Sequence, residues 1–357
     1  MTTLQLDETK IENFAEKLIG TLNGGALALM TSIGHQTGLF DTMSTLPPAT
    51  SNEIATAAGL NERYVREWLG AMVTGEIVEY NADERVYSLP AEHAAVLTRE
   101  ASPDNIAATA QWIAVLGSVE SKIVDSFRNG GGVSYTEFER FHEVMAEESA
   151  QTVVAALFEH ILPLSPGLKL ELETGVRVMD LGCGSGLALS QMAKAFPKSS
   201  FVGYDLCEEA VDTARFEAER LELSNIKFET RDVSKLDEPN SFDVITAFDA
   251  IHDQADPAKV LDNIFATLKT GGTFLMQDIK GSSHVENNMN HPVSTFLYTI
   301  SCMHCMTVSL SQGGLGLGAM WGKEKALEML MDAGFENVEV KELDHDMINY
   351  YYIMKKN

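Results

Sequence analysis

The sequence predicts an α/β protein: a seven-stranded, doubly wound, mostly parallel sheet behind a mainly helical N-terminal domain. Three observations predict it. From Val176 onward, strand-like and helix-like runs alternate, the pattern of a parallel sheet covered by helices on both faces. A glycine-rich turn, Asp180-Leu181-Gly182-Cys183-Gly184-Ser185-Gly186, leaves the first of those strands and opens a helix. Before it, apolar residues recur at helical spacing, broken by one short hairpin pattern. The chain has 357 residues, 45% of them apolar, enough for two folded units.

The elements follow in order. Ile11, Phe14, Leu18 and Leu22, then Leu27 to Ile33, predict two opening helices separated at Gly24-Gly25 and closed by Gly38. After Pro47-Pro48, Ser51 is placed to cap a short helix over Asn52–Ala58, and Asn61 to cap a second carrying Tyr64, Val65, Trp68 and Met72. That is helix-turn-helix spacing. Two β-prone runs, Ile77–Tyr80 and Val86–Leu89, flank a polar turn and complete a winged helix over residues 1–95. Residues 96–169 read as a helical connector interrupted at Gly130-Gly131-Gly132, with Phe138, Phe141, His142 and Met145 near one another as pocket-lining candidates.

Residues 170–357 hold the sheet. Strands are expected near Val176–Met179, Phe201–Tyr204, Ile226–Thr230, Phe242–Phe248 and Thr273–Asp278, with helices between them. A last helix, Lys323–Ala333, precedes two strands close enough in sequence to pair antiparallel, Val338–Leu343 and Tyr350–Met354. The insertion 281–322 carries an apolar helix, Pro292–Val308, and a glycine-rich loop, and is a candidate lid.

Charge narrows the function classes. Twenty-six Lys and Arg against 52 Asp and Glu give a net charge of -26, a field that repels a phosphate backbone. The helix-turn-helix stretch offers only Arg63 and Arg66 against Glu53, Glu62 and Glu67, so it reads as a packing module and no nucleic-acid partner is expected. Four cysteines (Cys183, Cys207, Cys302, Cys305) make no disulfide framework, and no leader or membrane-length apolar run is seen. A cytoplasmic protein is expected. The CxxC spacing at Cys302 to Cys305 has no second pair, so helix packing is favoured over a metal site.

A dinucleotide fingerprint requires a third glycine three places after the second, where this chain has Leu187; NAD is disfavoured. Asp205, ending the next strand, suits two ribose hydroxyls, because an ionised carboxylate accepts both hydrogen bonds. With Asp180 and Asp232 it puts carboxylates at three successive strand exits.

Over roughly residues 170–357 this pattern resembles the class I S-adenosylmethionine-dependent methyltransferases. The resemblance implies S-adenosyl-L-methionine as cofactor. Its methionine portion is then expected on Asp180, Gly182, Gly184 and Gly186, its ribose on Asp205, and its adenine against Leu206 and the Asp232-Val233 segment. Phe248, at the end of the fourth strand, completes that set.

The same strand runs into His252-Asp253, similar to the catalytic histidine segment of plant phenolic O-methyltransferases, with Gln254 where Trp is usual. A hydroxyl acceptor must lose a proton as it attacks, which makes His252 the candidate general base and Asp253 its candidate orienting partner. A thiol or amine acceptor dispenses with that base, so S- and N-methylation stay open beside the favoured O-methylation. Tyr64 to Gly70, Leu89 to Ala94 and Gly316 to Gly322 further resemble bacterial small-molecule methyltransferases with an N-terminal winged helix. That resemblance implies a small-molecule acceptor and a homodimer. Phe141, Met145, Tyr298, Met303 and Trp321 are the candidate acceptor walls. The alternative from another class is a cofactor-binding winged-helix regulator.

Overall fold

The computed structural model describes residues 6–357, which divide into a unit ending at Gly117 and a unit spanning Ser118–Asn357. Residues 96–117 thus fall in the first unit and 118–169 in the second. Among the described residues, no helix is long and apolar enough to cross a membrane.

In the first unit, α1 (Glu8–Gln36) is one helix where two were expected. Gly24 and Gly25 lie inside it, with open space where a side chain would be. Each weakens the helix by about 1 kcal/mol relative to alanine, and neither makes a turn. Beyond them Leu27 and Met30 pack on the core of the unit, and Trp68 Nε1 donates to Met30 O at 2.8 Å. Before them Ile11, Phe14, Leu18, Ile19 and Leu22 are exposed.

Five further elements follow: α2 (Leu39–Thr45), α3 (Ser51–Ala58), α4 (Glu62–Thr74) and the antiparallel pair β1 (Glu79–Asn81) and β2 (Val86–Ser88). Thr50, not Ser51, caps α3. Glu53 stands three residues later and closes a capping box with it, which satisfies two orphan N–H groups at once. Asn61 caps α4 as expected. Phe40, Ile54, Leu69 and Met72 are fully buried between these helices. On the outside of α4, Arg63 pairs with Glu67 and Arg66 with Glu62.

The second unit is built on a seven-stranded sheet of β3 (Arg177–Leu181), β4 (Ser200–Asp205), β5 (Ile226–Thr230), β6 (Phe242–Phe248), β7 (Leu268–Ile279), β8 (Val338–Lys341) and β9 (Asn349–Lys355). Their order across the sheet is β5-β4-β3-β6-β7-β9-β8. The first five are parallel, and β9 runs antiparallel to both β7 and β8.

Period-two alternation sends successive side chains to opposite faces. Met179, Leu181, Ile245, Ala247, Phe274, Met276 and Tyr352 share one core with the helices Pro257–Thr267 and Gly322–Asp332. Val178, Val244, Leu275, Tyr351 and Ile353 share the other with Leu187–Ala195 and Glu208–Arg220. Because β4 and β6 flank β3, the chain leaves β3 toward one edge and later returns to the other side of it. That reversal opens a crevice at the carboxyl ends of the strands.

In the insertion, one helical run extends from Ser294 to Ser311 through a π-helical turn at Ser301–Cys305. It begins and ends slightly later than the expected Pro292–Val308.

Candidate active site

A cavity of about 300 Å³ opens at those carboxyl ends, at the small end of the usual range for ligand sites. Gly182, Gly184, Tyr204, Asp205, Leu206, Cys207, Arg231 and Val233 line one side, and Phe248, Asp249, Ala250, Asp253 and Gln254 the other. Tyr135, Thr136, Phe141, His142, Met145 and Gln312 complete it.

The glycine loop is shaped by two conformational demands. Gly182 has φ 68°, and a Cβ there would fall 2.4 Å from the Cβ of Ala250; only glycine lets the loop lie against the exit of β6. Gly184 has φ 52° with open space where its Cβ would be, so its backbone faces the cavity bare. Asp205 braces this arrangement. Its Oδ2 accepts from the Gly184 N–H at 2.8 Å and its Oδ1 from the Cys207 N–H at 2.9 Å. Each oxygen keeps a second lone pair for a ligand.

Of the three carboxylates expected to converge, Asp205 alone lines the cavity. Asp180 stands in the ladder opposite Thr246, buried, and accepts from Thr246 Oγ1 at 2.6 Å. Burial pushes its carboxyl up to about 7, against the pull of the Thr246 hydrogen bond. It ties β3 to β6 just before the loop begins. Asp232 caps the short turn after β5, accepting from Ser234 N and Oγ at 3.0 and 2.6 Å and pairing with Lys235 at 2.8 Å; its neighbours Arg231 and Val233 reach the cavity. Gly186, φ 69°, closes against Phe228 and starts the next helix.

The histidine segment is also rearranged. His252 is buried, and its Nδ1 lies 2.8 Å from Asp278 Oδ1, an oxygen that also accepts from Trp321 Nε1 at 2.9 Å. Burial alone lowers the imidazole, but the Asp278 carboxylate beside it wins, and the net shift is well upward. Asp253 does not orient His252: it turns the other way, lines the cavity and accepts a hydrogen bond from the Tyr135 hydroxyl. Burial raises the Asp253 carboxyl to about 6. Neighbours in a loop point to different sides, so the orienting carboxylate comes from β7.

Phe141 and Met145 line the cavity as expected, whereas Tyr298, Met303 and Trp321 do not. Tyr298 accepts from Asn288 Nδ2 at 2.9 Å and packs in a separate small core with Leu297 and Ala319. Met303 is half-buried on the π-helical turn, and Trp321 is spent on Asp278. In place of Met303, the turn sends His304 onto Phe141 with ring centroids 4.1 Å apart. Burial depresses that imidazole to about 3. Asp278 was missed, although its position at the exit of β7 is the signal that had nominated Asp205. Tyr135 and Cys207, whose Sγ lies 3.2 Å from His142 Nε2, carried no signal beyond proximity to other candidates.

Known proteins place this geometry. Residues 25–99 match the family model of an Rv2258c-like winged HTH domain, and residues 172–334 that of a methyltransferase domain. The chain is therefore of the two-domain class, a winged helix-turn-helix domain followed by a class I methyltransferase fold.

Among curated proteins, it is 28% identical over 235 residues to the sterol 24-C-methyltransferase ERG6 of Saccharomyces cerevisiae, covering 64% of this chain and 55% of that protein. To the ubiquinone biosynthesis O-methyltransferase of Coxiella burnetii it is 31% identical over 127 residues, 35% of this chain and 49% of the other. The chain thus spans about half the length of these relatives. Two solved structures share the whole architecture. Human N-acetylserotonin methyltransferase in complex with SAM superposes with a TM-score of 0.69 at 19% identity, covering 100% of this chain and 99% of that one. The mitomycin 7-O-methyltransferase MmcR gives 0.69 at 16% identity, covering 98% and 100%.

The residues present fit S-adenosylmethionine. The bare backbone at Gly184, the spare lone pairs of Asp205 and the apolar Leu206 and Val233 suit its adenosine part. The cofactor has no phosphate to neutralise, and the cavity offers carboxylates for its cationic groups.

Proposed function

We propose that this protein transfers a methyl group from S-adenosyl-L-methionine to a small-molecule acceptor, with a hydroxyl oxygen as the favoured target. The observation that carries the reading is the Gly184–Asp205 bond at 2.8 Å, which holds a side-chain-free loop open beside an acid at the switch point of the sheet. When bound, the cofactor supplies an electrophilic methyl group. Asp205 holds the ribose hydroxyls, Leu206 and Val233 flank the adenine, and Phe248 and Gly182 border the sulfur-bearing part. Asp180 and Gly186 support the loop, and Asp232 fixes the turn that presents Val233.

In this reading His252 takes the proton of the acceptor hydroxyl, and Asp278 holds the ring and stabilises its charged form. Phe141 and Met145 supply apolar wall to the acceptor. Asp253, tied to Tyr135, closes the cavity beside it. Calorimetric titration with S-adenosylhomocysteine tests the cofactor assignment. A mass-spectrometric search of a cellular extract for a gain of one CH₂ tests the activity. Absence of binding and of any methylated product would refute both.

A second reading is favoured by the burial of His252, which is 3% exposed and outside the cavity lining. A thiol or amine acceptor needs no histidine base, and turnover undiminished in His252→Ala would decide for it. The regulator reading has less support, because both cations on the outer face of α4 are already paired with glutamates. We further infer a cytoplasmic homodimer. The exposed row Ile11, Phe14, Leu18 and Leu22 on α1 recurs at helical spacing and suits the same face of a second copy. All four cysteines are free thiols, in keeping with a reducing compartment.

A further inference from the structure

Asp249 lines the cavity and is not accounted for by the functions assigned above. It follows β6 with φ 51°, a left-handed conformation that non-glycine residues seldom hold and that recurs at functional sites. Gln277 of β7 fixes it there: the Asp249 N–H donates to Gln277 O at 3.1 Å, and Gln277 Nε2 donates to Asp249 Oδ2 at 2.9 Å. The other oxygen, Oδ1, is buried and accepts no hydrogen bond. Gln277 Oε1 beside it is likewise buried without a donor. Two orphan acceptors at one place call for a ligand rich in N–H donors.

The sheet order says which part of the cofactor comes here. Asp205 and Leu206 follow β4 and Val233 follows β5, so the adenosine lies on the β4–β5 side of β3. The amino-acid arm must then cross the glycine loop toward β6. Gly182 and Ala250 are so close that a Cβ on the glycine would fall 2.4 Å from that of the alanine, which brings the loop to the residue next to Asp249.

We propose that Asp249 receives the α-ammonium group of S-adenosylmethionine, with Gln277 as the positioning residue that aims its free oxygen. The proposal rests on the cofactor reading above. Burial and the nearby Asp278 push the Asp249 carboxyl well above the usual carboxylate range, as suits a site whose cation arrives with the ligand.

The test is a calorimetric cycle with S-adenosylhomocysteine and an analogue lacking only the amino group, on the unmutated protein and on Asp249→Asn. Asparagine keeps the shape and can still accept from Gln277. Loss of a charge-assisted hydrogen bond predicts about tenfold or more weaker S-adenosylhomocysteine binding by the variant, and indistinguishable binding of the analogue by both proteins. Equal losses for both ligands, or undiminished S-adenosylhomocysteine binding with lost turnover, would overturn it, the latter assigning Asp249 to the acceptor. Should the variant not fold, the unmutated protein decides: the analogue must bind about tenfold or more weakly, and equal affinities sink the proposal. If the unmutated protein binds neither ligand, the cofactor reading fails instead.

Discussion

His252 and Asp278 stand 26 positions apart in the chain and meet across the strand exits with Nδ1 2.8 Å from Oδ1. Trp321 locks the same oxygen from the short 3₁₀ turn before the last helix. The pair raises the imidazole well above its ordinary value, and a base acts only when neutral. Turnover of a hydroxyl acceptor should therefore rise with pH through a midpoint above 6.5 and fade on the acid side. In Asp278→Asn the carboxylate is gone and burial dominates, so the midpoint should move to lower pH while the plateau falls. His252→Ala should lose about 10²–10⁴-fold in kcat. A pH–rate profile of the three proteins checks this, and coincident profiles would remove the dyad from the mechanism.

Asp205 carries two backbone hydrogen bonds before any ligand arrives. Asp205→Asn should weaken S-adenosylhomocysteine by about 1.5–3 kcal/mol, the range for hydrogen bonds to a charged group. Titration calorimetry reads it directly, and unchanged affinity would leave the ribose without its proposed acceptor.

The two loop glycines should fail differently. Gly182→Ala places a methyl 2.4 Å from Ala250 Cβ at φ 68°, so a stability loss of about 1–3 kcal/mol from overpacking is expected on top of backbone strain. Gly184→Ala meets nothing in the protein and should cost only about 1–2 kcal/mol of strain, while its methyl projects into the cavity and weakens the ligand. Urea unfolding with parallel titrations separates the two, and identical behaviour would contradict the account.

Tyr135→Phe leaves the half-buried Asp253 without its donor. That donor draws the carboxyl downward against burial, so its removal should raise the Asp253 pKa further and lower stability by about 1–3 kcal/mol. Chemical denaturation is the measurement; a neutral result would mean that another group takes over.

The exposed apolar row on α1 should respond to charge. If the inferred homodimer forms through this row, Phe14→Glu with Leu18→Glu should make the protein monomeric in sedimentation without lowering the unfolding midpoint of the methyltransferase domain. A monomeric unmutated protein would remove the inferred interface.

Alternation of strands and helices, the glycine turn and the caps are local patterns, because hydrophobic period, left-handed glycines and N-cap chemistry act over a few residues. From them the sequence alone determined the sheet, the winged helix and the placing of Gly184 and Asp205 at strand exits, where both line one cavity. What lay beyond its reach is where side chains point after the backbone has turned. Asp180 proved to be a ladder residue opposite Thr246, Asp232 a cap, and α1 an unbroken helix through two glycines. Tertiary structure alone decided that Asp278 orients His252, that Tyr135 holds Asp253 from 118 positions away, and that Asp249 keeps an empty acceptor. Such pairings depend on strand order and loop path, which bring together groups that no spacing in the chain relates.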